Sequence, residues 1–317
     1  MKTKTTAAGL ATAMAVTVAV APAAAAQGLD LSGYARFGLE YAEGGSRGWN
    51  AGEVAPTSRL RLNLRARTDT DMGARLELRA RAQASNAQTL AFNAPRFTVS
   101  GGGLSLQLGN ISGAFADTPG LDDIIGLTGL SAPDKAARTR GREAWDEYES
   151  RDAGPAVNNA VQAGLASGPV SAALSYSDRN PTADDPRRRR LGGHVAWSGA
   201  GYTLALGFQD SDLPDEDYVL ATVGAEFDAL NVTLQLADNR GVKKGVLQAR
   251  YAVTQDLRVN AFLSNERGNP AASRHWNGSG GGLGIDYALG GGAEVKAGVV
   301  RRSDTTVLAD AGIIFRF

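Results

Sequence analysis

The chain contains no cysteine, which excludes disulfide bonds, thiolate metal sites and cysteine-based catalysis. It also lacks any excess of one charge, because 33 basic and 33 acidic residues give a formal net charge of +0. A balanced charge gives no support for nucleic-acid binding. Aromatic residues make up only 7%, charged residues 21% and hydrophobic residues 43%. This mixture is too polar for a helical membrane protein and too apolar for a disordered chain.

Long hydrophobic runs are missing everywhere except at the N-terminus. There, Lys2 and Lys4 precede an alanine-rich apolar run over residues 7–20, and residues 24–26 supply an A-x-A cleavage motif. This pattern predicts a signal peptide over residues 1–26 and a mature chain over 27–317. A transmembrane anchor is the alternative, but the run is short and the cleavage motif follows at once. Without a further apolar run, the mature chain could enter a membrane only as a closed β-barrel.

Alternation of apolar and polar residues dominates the mature chain. Leu60, Leu62 and Leu64, for example, alternate with Arg59, Arg61 and Arg65. Period-two alternation over about ten residues is typical of a membrane-spanning β-strand. It recurs in about sixteen segments, joined by short glycine-rich turns and by longer polar loops. The sequence therefore predicts an all-β fold: one transmembrane antiparallel up-and-down β-barrel over 27–317, with a long irregular segment, 110–157, after the fifth strand. A soluble β-sandwich is the alternative, but it would have to bury too many long strands.

Three segments carry a family resemblance: 31–39 (LSGYARFGL), 106–110 (LQLGN) just before the long segment, and a last strand with Ile313, Phe315 and Phe317 at alternate positions. Together they resemble the general porins of Gram-negative bacteria, especially the sixteen-stranded Rhodobacter-type porins. The resemblance covers essentially the whole mature chain. It implies an outer-membrane homotrimer that passes ions and small hydrophilic solutes. It also implies that the long segment folds inward as a constriction loop, and that Phe317 is a signal for the barrel-assembly machinery.

The residues that would line the channel are arginines on the first three strands. Each arginine on the lipid face near the bilayer midplane would cost about 2–4 kcal/mol. The alternation pattern therefore predicts that these side chains face the lumen. We call this predicted set the arginine wall: Arg36, Arg59, Arg61, Arg65, Arg79 and Arg81. The long segment is rich in acids, of which Asp117, Asp122 and Asp123 are the candidates for the opposite side of the constriction. An acidic loop favours cations, and opposed charges sort permeating solutes by charge. Local ion pairing on a solvated lumen face is the alternative interpretation of both sets.

Two charged clusters remain outside this scheme. Residues 187–190 are four consecutive arginines that could bind lipopolysaccharide phosphates at the outer rim, or lie in solvent. Asp210, Asp212, Asp215, Glu216 and Asp217 surround one loop and could bind Ca²⁺, although a solvated acidic loop is the more economical interpretation. No other cofactor is predicted.

Other functions are possible for an outer-membrane barrel. A hydrolase needs a positioned base, but neither His194 nor His275 lies in a catalytic motif, so the sequence predicts no enzyme. A substrate-specific channel needs an aromatic track or a dedicated site in the lumen. Only Tyr34 and Phe262 are clear inward aromatics, which favours a general porin over a specific channel or an adhesin-like barrel.

Overall fold

The computed structural model describes residues 28–44, 52–86, 88–122, 124–131, 136–139, 142–143, 158–179, 188–212, 217–268, 278–303 and 305–317. Within these ranges the regular structure consists of β-strands. No described helix has the length and hydropathy to cross a bilayer. The predicted signal peptide lies outside the described residues and stays a prediction.

Seventeen strand segments join in one sheet. They form sixteen barrel strands, because two segments separated by residues 93–95 share the same place beside the third strand. The strands are β1 Gly28–Ala42, β2 Val54–Asp69, β3 Arg75–Ser85, β4 Gln88–Phe92 with Arg96–Gly101, β5 Leu104–Gly109, β6 Asn158–Ser167, β7 Val170–Arg179, β8 Arg188–Gly199, β9 Tyr202–Ser211, β10 Tyr218–Phe227, β11 Leu230–Asn239, β12 Val242–Ala252, β13 Leu257–Arg267, β14 Gly278–Gly290, β15 Ala293–Arg301 and β16 Val307–Arg316. A separate short ladder pairs Arg138–Thr139 with Arg142–Glu143.

Each strand pairs antiparallel with the next, and β16 returns to pair with β1. The closure is completed by the last residue: the Phe317 N–H donates to the Gly33 carbonyl at 3.1 Å, and the Gly33 N–H donates to the Phe317 carbonyl at 2.8 Å. The sheet therefore has no open edge, as a structure surrounded by lipid requires. The prediction of a closed antiparallel barrel of about sixteen strands is confirmed.

The two faces of the wall differ as the alternation predicts. Leu60, Leu64 and Phe97 are exposed on the outside, whereas Arg81 and Gln83 on the inside are buried. Gly28 at the start of β1, the C-terminal Phe317 and most of the short turns, such as the one between β2 and β3, lie at one end of the barrel. In outer-membrane barrels this is the periplasmic end, and the longer connections are extracellular.

The largest buried cluster lies inside the barrel rather than between two sheets. Phe115, Ile124 and Ile125 of the long segment pack there with apolar side chains on the inward faces of β10, β12, β13 and β15, which are Tyr218, Leu220, Val246, Phe262 and Val300. The rings of Phe115 and Tyr218 stack with centroids 5.4 Å apart. Burial of one such side chain contributes about 1.5–3 kcal/mol. This core attaches part of the long segment to the inner wall.

Candidate channel constriction

The long segment enters the barrel directly after β5. We call residues 111–131 the inner segment; the structure describes all of it except residue 123. It begins where the Asn110 N–H donates to the Pro95 carbonyl at 3.1 Å. From there it follows the inner wall around most of the barrel, so its position is set by contacts with many strands.

Polar side chains of the wall bind the backbone of the inner segment along this path. Ser175 on β7 accepts from the Ala114 N–H at 2.8 Å. Thr222 on β10 donates to the Pro119 carbonyl at 2.6 Å, and Gln235 on β11 donates to the Gly120 carbonyl at 2.7 Å. Gln248 on β12 donates to the Asp122 carbonyl at 3.0 Å. Buried backbone groups need such partners, because leaving one unpaired costs as much as a lost hydrogen bond.

The far part of the inner segment is held by a buried carboxylate and an arginine. Asp310 on β16 accepts from the N–H groups of Leu127 and Thr128, at 2.9 and 2.6 Å, and from the Thr128 hydroxyl at 2.7 Å. On the neighbouring strand, Arg36 donates from Nη1 to the Leu127 carbonyl at 2.9 Å. Hydrogen bonds to charged groups are the stronger ones, at about 1.5–3 kcal/mol each. Asp310 and Arg36 therefore form a clamp on residues 127–128.

Glycines make room for the inner segment on the wall. A Cβ added to Gly298 would come within 2.8 Å of Ile125 Cγ2, and one added to Gly207 within 2.6 Å of Thr118 Oγ1. At Gly38 the added Cβ would meet Leu127 Cδ2 at 2.7 Å. A Cβ does not come this close to a non-bonded carbon or oxygen atom. The absence of side chains at these inward positions therefore lets the inner segment lie flat on the wall.

Arg36 of the arginine wall lies on β1 and binds the inner segment. The other five arginines lie on strands on which no described residue anchors that segment. The described contacts of the inner segment lie on β6 to β16 and β1, whereas Arg59, Arg61, Arg65, Arg79 and Arg81 lie on β2 and β3. The register sets Arg65 directly across from Arg79. The inner segment and these five arginines therefore occupy different sectors of the barrel wall.

Neutral amides orient two of these arginines. Gln83 Oε1 accepts from both Nε and Nη2 of Arg61, at 2.9 and 2.7 Å. Asn63 Oδ1 accepts from Nε of Arg81 at 2.7 Å. The Arg61 guanidinium also lies over the inward-facing Tyr34 ring, 5.3 Å from its centroid. These contacts fix the direction of both side chains.

The remaining arginines have different surroundings. Arg65 Nε lies 3.4 Å from Glu77 Oε1, so this arginine is ion-paired within the wall. Arg59 is a hydrogen-bond partner of the Tyr34 hydroxyl. Arg96 on β4 faces the lumen across from Arg79 and extends the wall onto a fourth strand. Alternation alone missed Arg96, because the predicted strand began after it.

The structure describes two of the three acidic residues predicted for the constriction. Asp117 is exposed, and its two carboxylate oxygens accept from the Ser112 hydroxyl at 2.8 Å and from Gln162 Nε2 at 3.1 Å. Asp122 is exposed on the inner segment where this crosses β12. Asp123 lies outside the described residues. No distance between these acids and the arginine wall is established by the described contacts, so their pairing across the lumen stays a prediction.

Other predicted residues have local partners. His194 faces inward, and its Nδ1 contacts the Ala114 carbonyl, so this imidazole helps to hold the inner segment. Asp212 pairs with Arg189, and Asp217 pairs with Arg240. Within the described ranges no three His, Cys, Asp or Glu side chains are grouped as metal ligands. Asp215, Glu216, Arg187 and His275 lie outside those ranges, and calcium binding stays a prediction.

Sequence reasoning missed the residues that hold the inner segment, but a signal for them exists. Leu220, Val246 and Val300 are apolar at inward positions, where a water-filled barrel has polar residues. Such exceptions to the alternation show where something apolar covers the wall. Asp310 could not be identified in this way, because an inward aspartate is also expected where the wall faces a water-filled lumen.

Known proteins share both the sequence pattern and this architecture. A family model described as Gram-negative porin matches residues 11–306. A porin from Fuscovulum blasticum is 29% identical over 304 residues, which cover 91% of this chain and 100% of that protein. Two solved structures of mutant Rhodopseudomonas blastica porin, each 25% identical, cover 91% of this chain and 100% of their own, with TM-scores of 0.74 and 0.75. This chain belongs to the Gram-negative porin family.

Proposed function

We propose that the channel of this outer-membrane porin is narrowed between the inner segment and the arginine wall, and that it passes ions and small hydrophilic solutes by diffusion. The observation that carries this proposal is the unequal covering of the inner wall. The inner segment lies against β6–β16 and β1, while Arg61 and Arg81 on β2 and β3 are held by amides of those two strands. Charges fixed on opposite sides of a narrow passage select solutes by charge and dipole.

The proposed selectivity depends on opposite charges on the two sides. Asp117, Asp122 and Asp123 attract cations on the side of the inner segment. The arginine wall attracts anions. Apolar solutes are disfavoured, because their passage removes water from charged groups. A general diffusion channel is favoured over a substrate-specific one, since the described inward aromatics of the wall do not form a track: Tyr34 stacks on Arg61, whereas Phe262 and Tyr218, which the alternation did not single out, are buried in the inner core.

We also propose a homotrimer, and no catalytic role for His194, whose Nδ1 is engaged with the Ala114 carbonyl. Gram-negative porins form oligomers, and the relatives of this chain share its fold over their whole length. The outward faces of β1 and β16 offer small residues such as Gly33 and Ala35 for close contact between barrels. Barrel assembly would use Phe317, and the arginines at 187–190 would meet lipopolysaccharide phosphates at the outer rim.

Reversal potentials under a salt gradient test the proposed constriction. The protein is purified from outer membranes and inserted into planar bilayers with unequal KCl on the two sides. Changing Asp117, Asp122 and Asp123 together to Asn should shift the preference toward chloride. The double variant Arg61→Gln with Arg81→Gln should shift it toward potassium. Arg75→Gln is the matched control, because Arg75 pairs with Asp69 at 2.7 Å beside the periplasmic turn. Unchanged conductance and ion preference in both charge variants would refute the assignment.

A further inference from the structure

A row of three polar side chains crosses the inner wall near its periplasmic end, in a different sector from the arginine wall. Glu226 on β10, Asn231 on β11 and Arg250 on β12 are direct register partners that face the lumen. Neighbouring Cβ atoms in such a row lie about 4.5–5.5 Å apart, so the acid and the base are separated by about twice that distance. The row therefore presents a negative end, a neutral amide and a positive end side by side.

The charged side chains beside this row on β13 to β16 pair with one another. Glu294 lies 3.2 Å from Arg258 Nη2 and 2.9 Å from Arg316 Nη1. Asp286 lies 3.1 Å from Lys296 Nζ. None of these ion pairs includes a member of the row, so the charges on this part of the wall compensate each other and leave the row to itself.

The two charged ends of the row are accessible from the lumen. Glu226 is exposed and Arg250 is half-buried, and neither has an ion-pair partner among the residues that the structure describes. Asn260, the other register partner of Arg250, donates its Nδ2 to Asp286 Oδ2 at 3.0 Å. A solute in the channel can therefore reach both charged groups.

The inner segment bounds the row on its extracellular side. Gln248, which donates to the Asp122 carbonyl at 3.0 Å, lies two residues from Arg250 on the same inward face, about 7 Å along the strand. The next positions on β10 and β11 are Gly224 and Thr233, which are register partners with small side chains. A Cβ added to Gly224 would lie 3.6 Å from its nearest neighbour, an ordinary contact. The wall thus leaves room for a small solute between the inner segment and the row.

We propose that the row of Glu226, Asn231 and Arg250 is a weak binding subsite for zwitterionic solutes, namely amino acids and short peptides. The carboxylate of the solute binds the Arg250 guanidinium, its ammonium group binds the Glu226 carboxylate, and the Asn231 amide bonds to polar atoms between them. A solute with one charge meets an attractive and a repulsive group in the same row. The subsite rests on the proposed diffusion channel and adds a preferred class of solute to it.

Blocking of the KCl current by small peptides tests the subsite in single channels of the full-length protein. The probes are glycylglycine, N-acetylglycylglycine, which keeps only the carboxylate, and glycylglycine amide, which keeps only the ammonium group. Glycylglycine should reduce the current at a lower concentration than either capped form. Arg250→Gln and Glu226→Gln should each raise its half-blocking concentration about three- to fivefold, the loss expected when one exposed ion pair is removed.

Two control variants remove the same charges elsewhere at the periplasmic end. Arg75→Gln removes an arginine that pairs with Asp69, and Asp256→Asn removes an exposed acid in a turn. Each should leave the half-blocking concentration within about twofold of the wild-type value. Resistance to SDS shows that every variant is a folded barrel. Equal blocking by the three probes, or an equal weakening in the control variants, would overturn the subsite alone. A protein without KCl conductance would instead contradict the proposed function.

Discussion

Single polar side chains inside the barrel determine where the inner segment lies. Asp310 accepts three hydrogen bonds from Leu127 and Thr128. No other residue of the wall makes as many of the described hydrogen bonds with the inner segment. Because this carboxylate is buried at 6% exposure, water cannot replace those bonds without opening the contact. The residue scale is therefore where the position of the inner segment is most easily changed.

We predict that Asp310→Asn loosens the inner segment and leaves the barrel folded. An amide has one oxygen to accept hydrogen bonds where the carboxylate has two, so at least one charge-assisted bond is lost, about 1.5–3 kcal/mol. Single-channel records should show a noisier open state, and limited proteolysis should cut the inner segment about tenfold faster. Asp256→Asn, in a periplasmic turn, is the control. Wild-type noise and proteolysis in Asp310→Asn would show that the clamp does not position the segment.

A second prediction concerns the close contact between the inner segment and the backbone of Gly298 on β15. Gly298→Val should push residues 125–126 toward the lumen, because the closest atoms to an added Cβ belong to Ile125 and Gly126, at 2.8 and 2.9 Å. Single-channel conductance should fall, because overpacking a close contact forces a backbone shift, here of the inner segment. Gly224→Ala is the matched control at another inward glycine, where the nearest atom is Thr203 Cβ at 3.6 Å. Equal conductance of both variants and wild type would contradict the prediction.

At the scale of elements, the pairing of β16 with β1 decides whether the barrel closes. Nine register pairs join the two strands, from Tyr34↔Arg316 to Ala42↔Leu308. Beyond them, Phe317 exchanges two backbone hydrogen bonds with Gly33. The Phe317 ring lies on the outside near that of Phe315, with centroids 5.9 Å apart. The last residue thus contributes both backbone bonds and an apolar ring at the membrane interface.

Deleting Phe317 should lower the yield of closed barrels more than replacing it. Phe317→Ala keeps the backbone hydrogen bonds to Gly33 and loses only the ring, whereas the deletion loses both, about 0.5–1.5 kcal/mol for each bond. The measurement is the fraction of outer-membrane protein that resists SDS at room temperature and unfolds on boiling. We expect wild type, Phe317→Ala and the deletion in decreasing order. Phe317→Tyr is the conservative control, and equal yields for all four proteins would argue against a role in closure.

At the scale of the whole molecule, the barrel is a thin wall with water expected on one side and lipid on the other. Its apolar residues form an outer belt, while most of its buried apolar side chains lie inside, between the wall and the inner segment. Such a molecule has two independent apolar surfaces. The outer belt faces the membrane, and the inner core holds the inner segment against the wall.

The proposed trimer and the diffusion mechanism give a prediction for the intact molecule. In planar bilayers, the wild-type protein should give ohmic conductance that grows with salt, in steps grouped in threes. The reason is that three water-filled barrels inserting together open together and pass ions independently. Single steps with saturating current would indicate instead a monomer with a specific solute site. Chemical crosslinking of the detergent-solubilised protein provides the independent measure of oligomeric state.

Much of this protein follows from local sequence alone. The alternation of Leu60, Leu62 and Leu64 with Arg59, Arg61 and Arg65 determines strands, their two faces and the membrane setting, since a one-residue slip would put arginine into lipid. The strand count and the place of the long segment were predicted in the same way. The inward direction of the arginine wall was predicted too, although Arg96 was missed and Arg36 holds the inner segment.

The path of the inner segment was decided only by the tertiary structure. Its sequence has no periodicity, and its hydrogen-bond partners are far away along the chain: 182 residues separate Thr128 from Asp310, and 91 separate Arg36 from Leu127. Those partners lie side by side only in the closed barrel, where β16 pairs with β1. Alternation tells which side of the wall a residue faces, because it depends on the geometry of one strand. It does not tell which inward residues meet across the lumen, because that depends on the curvature and closure of the whole sheet.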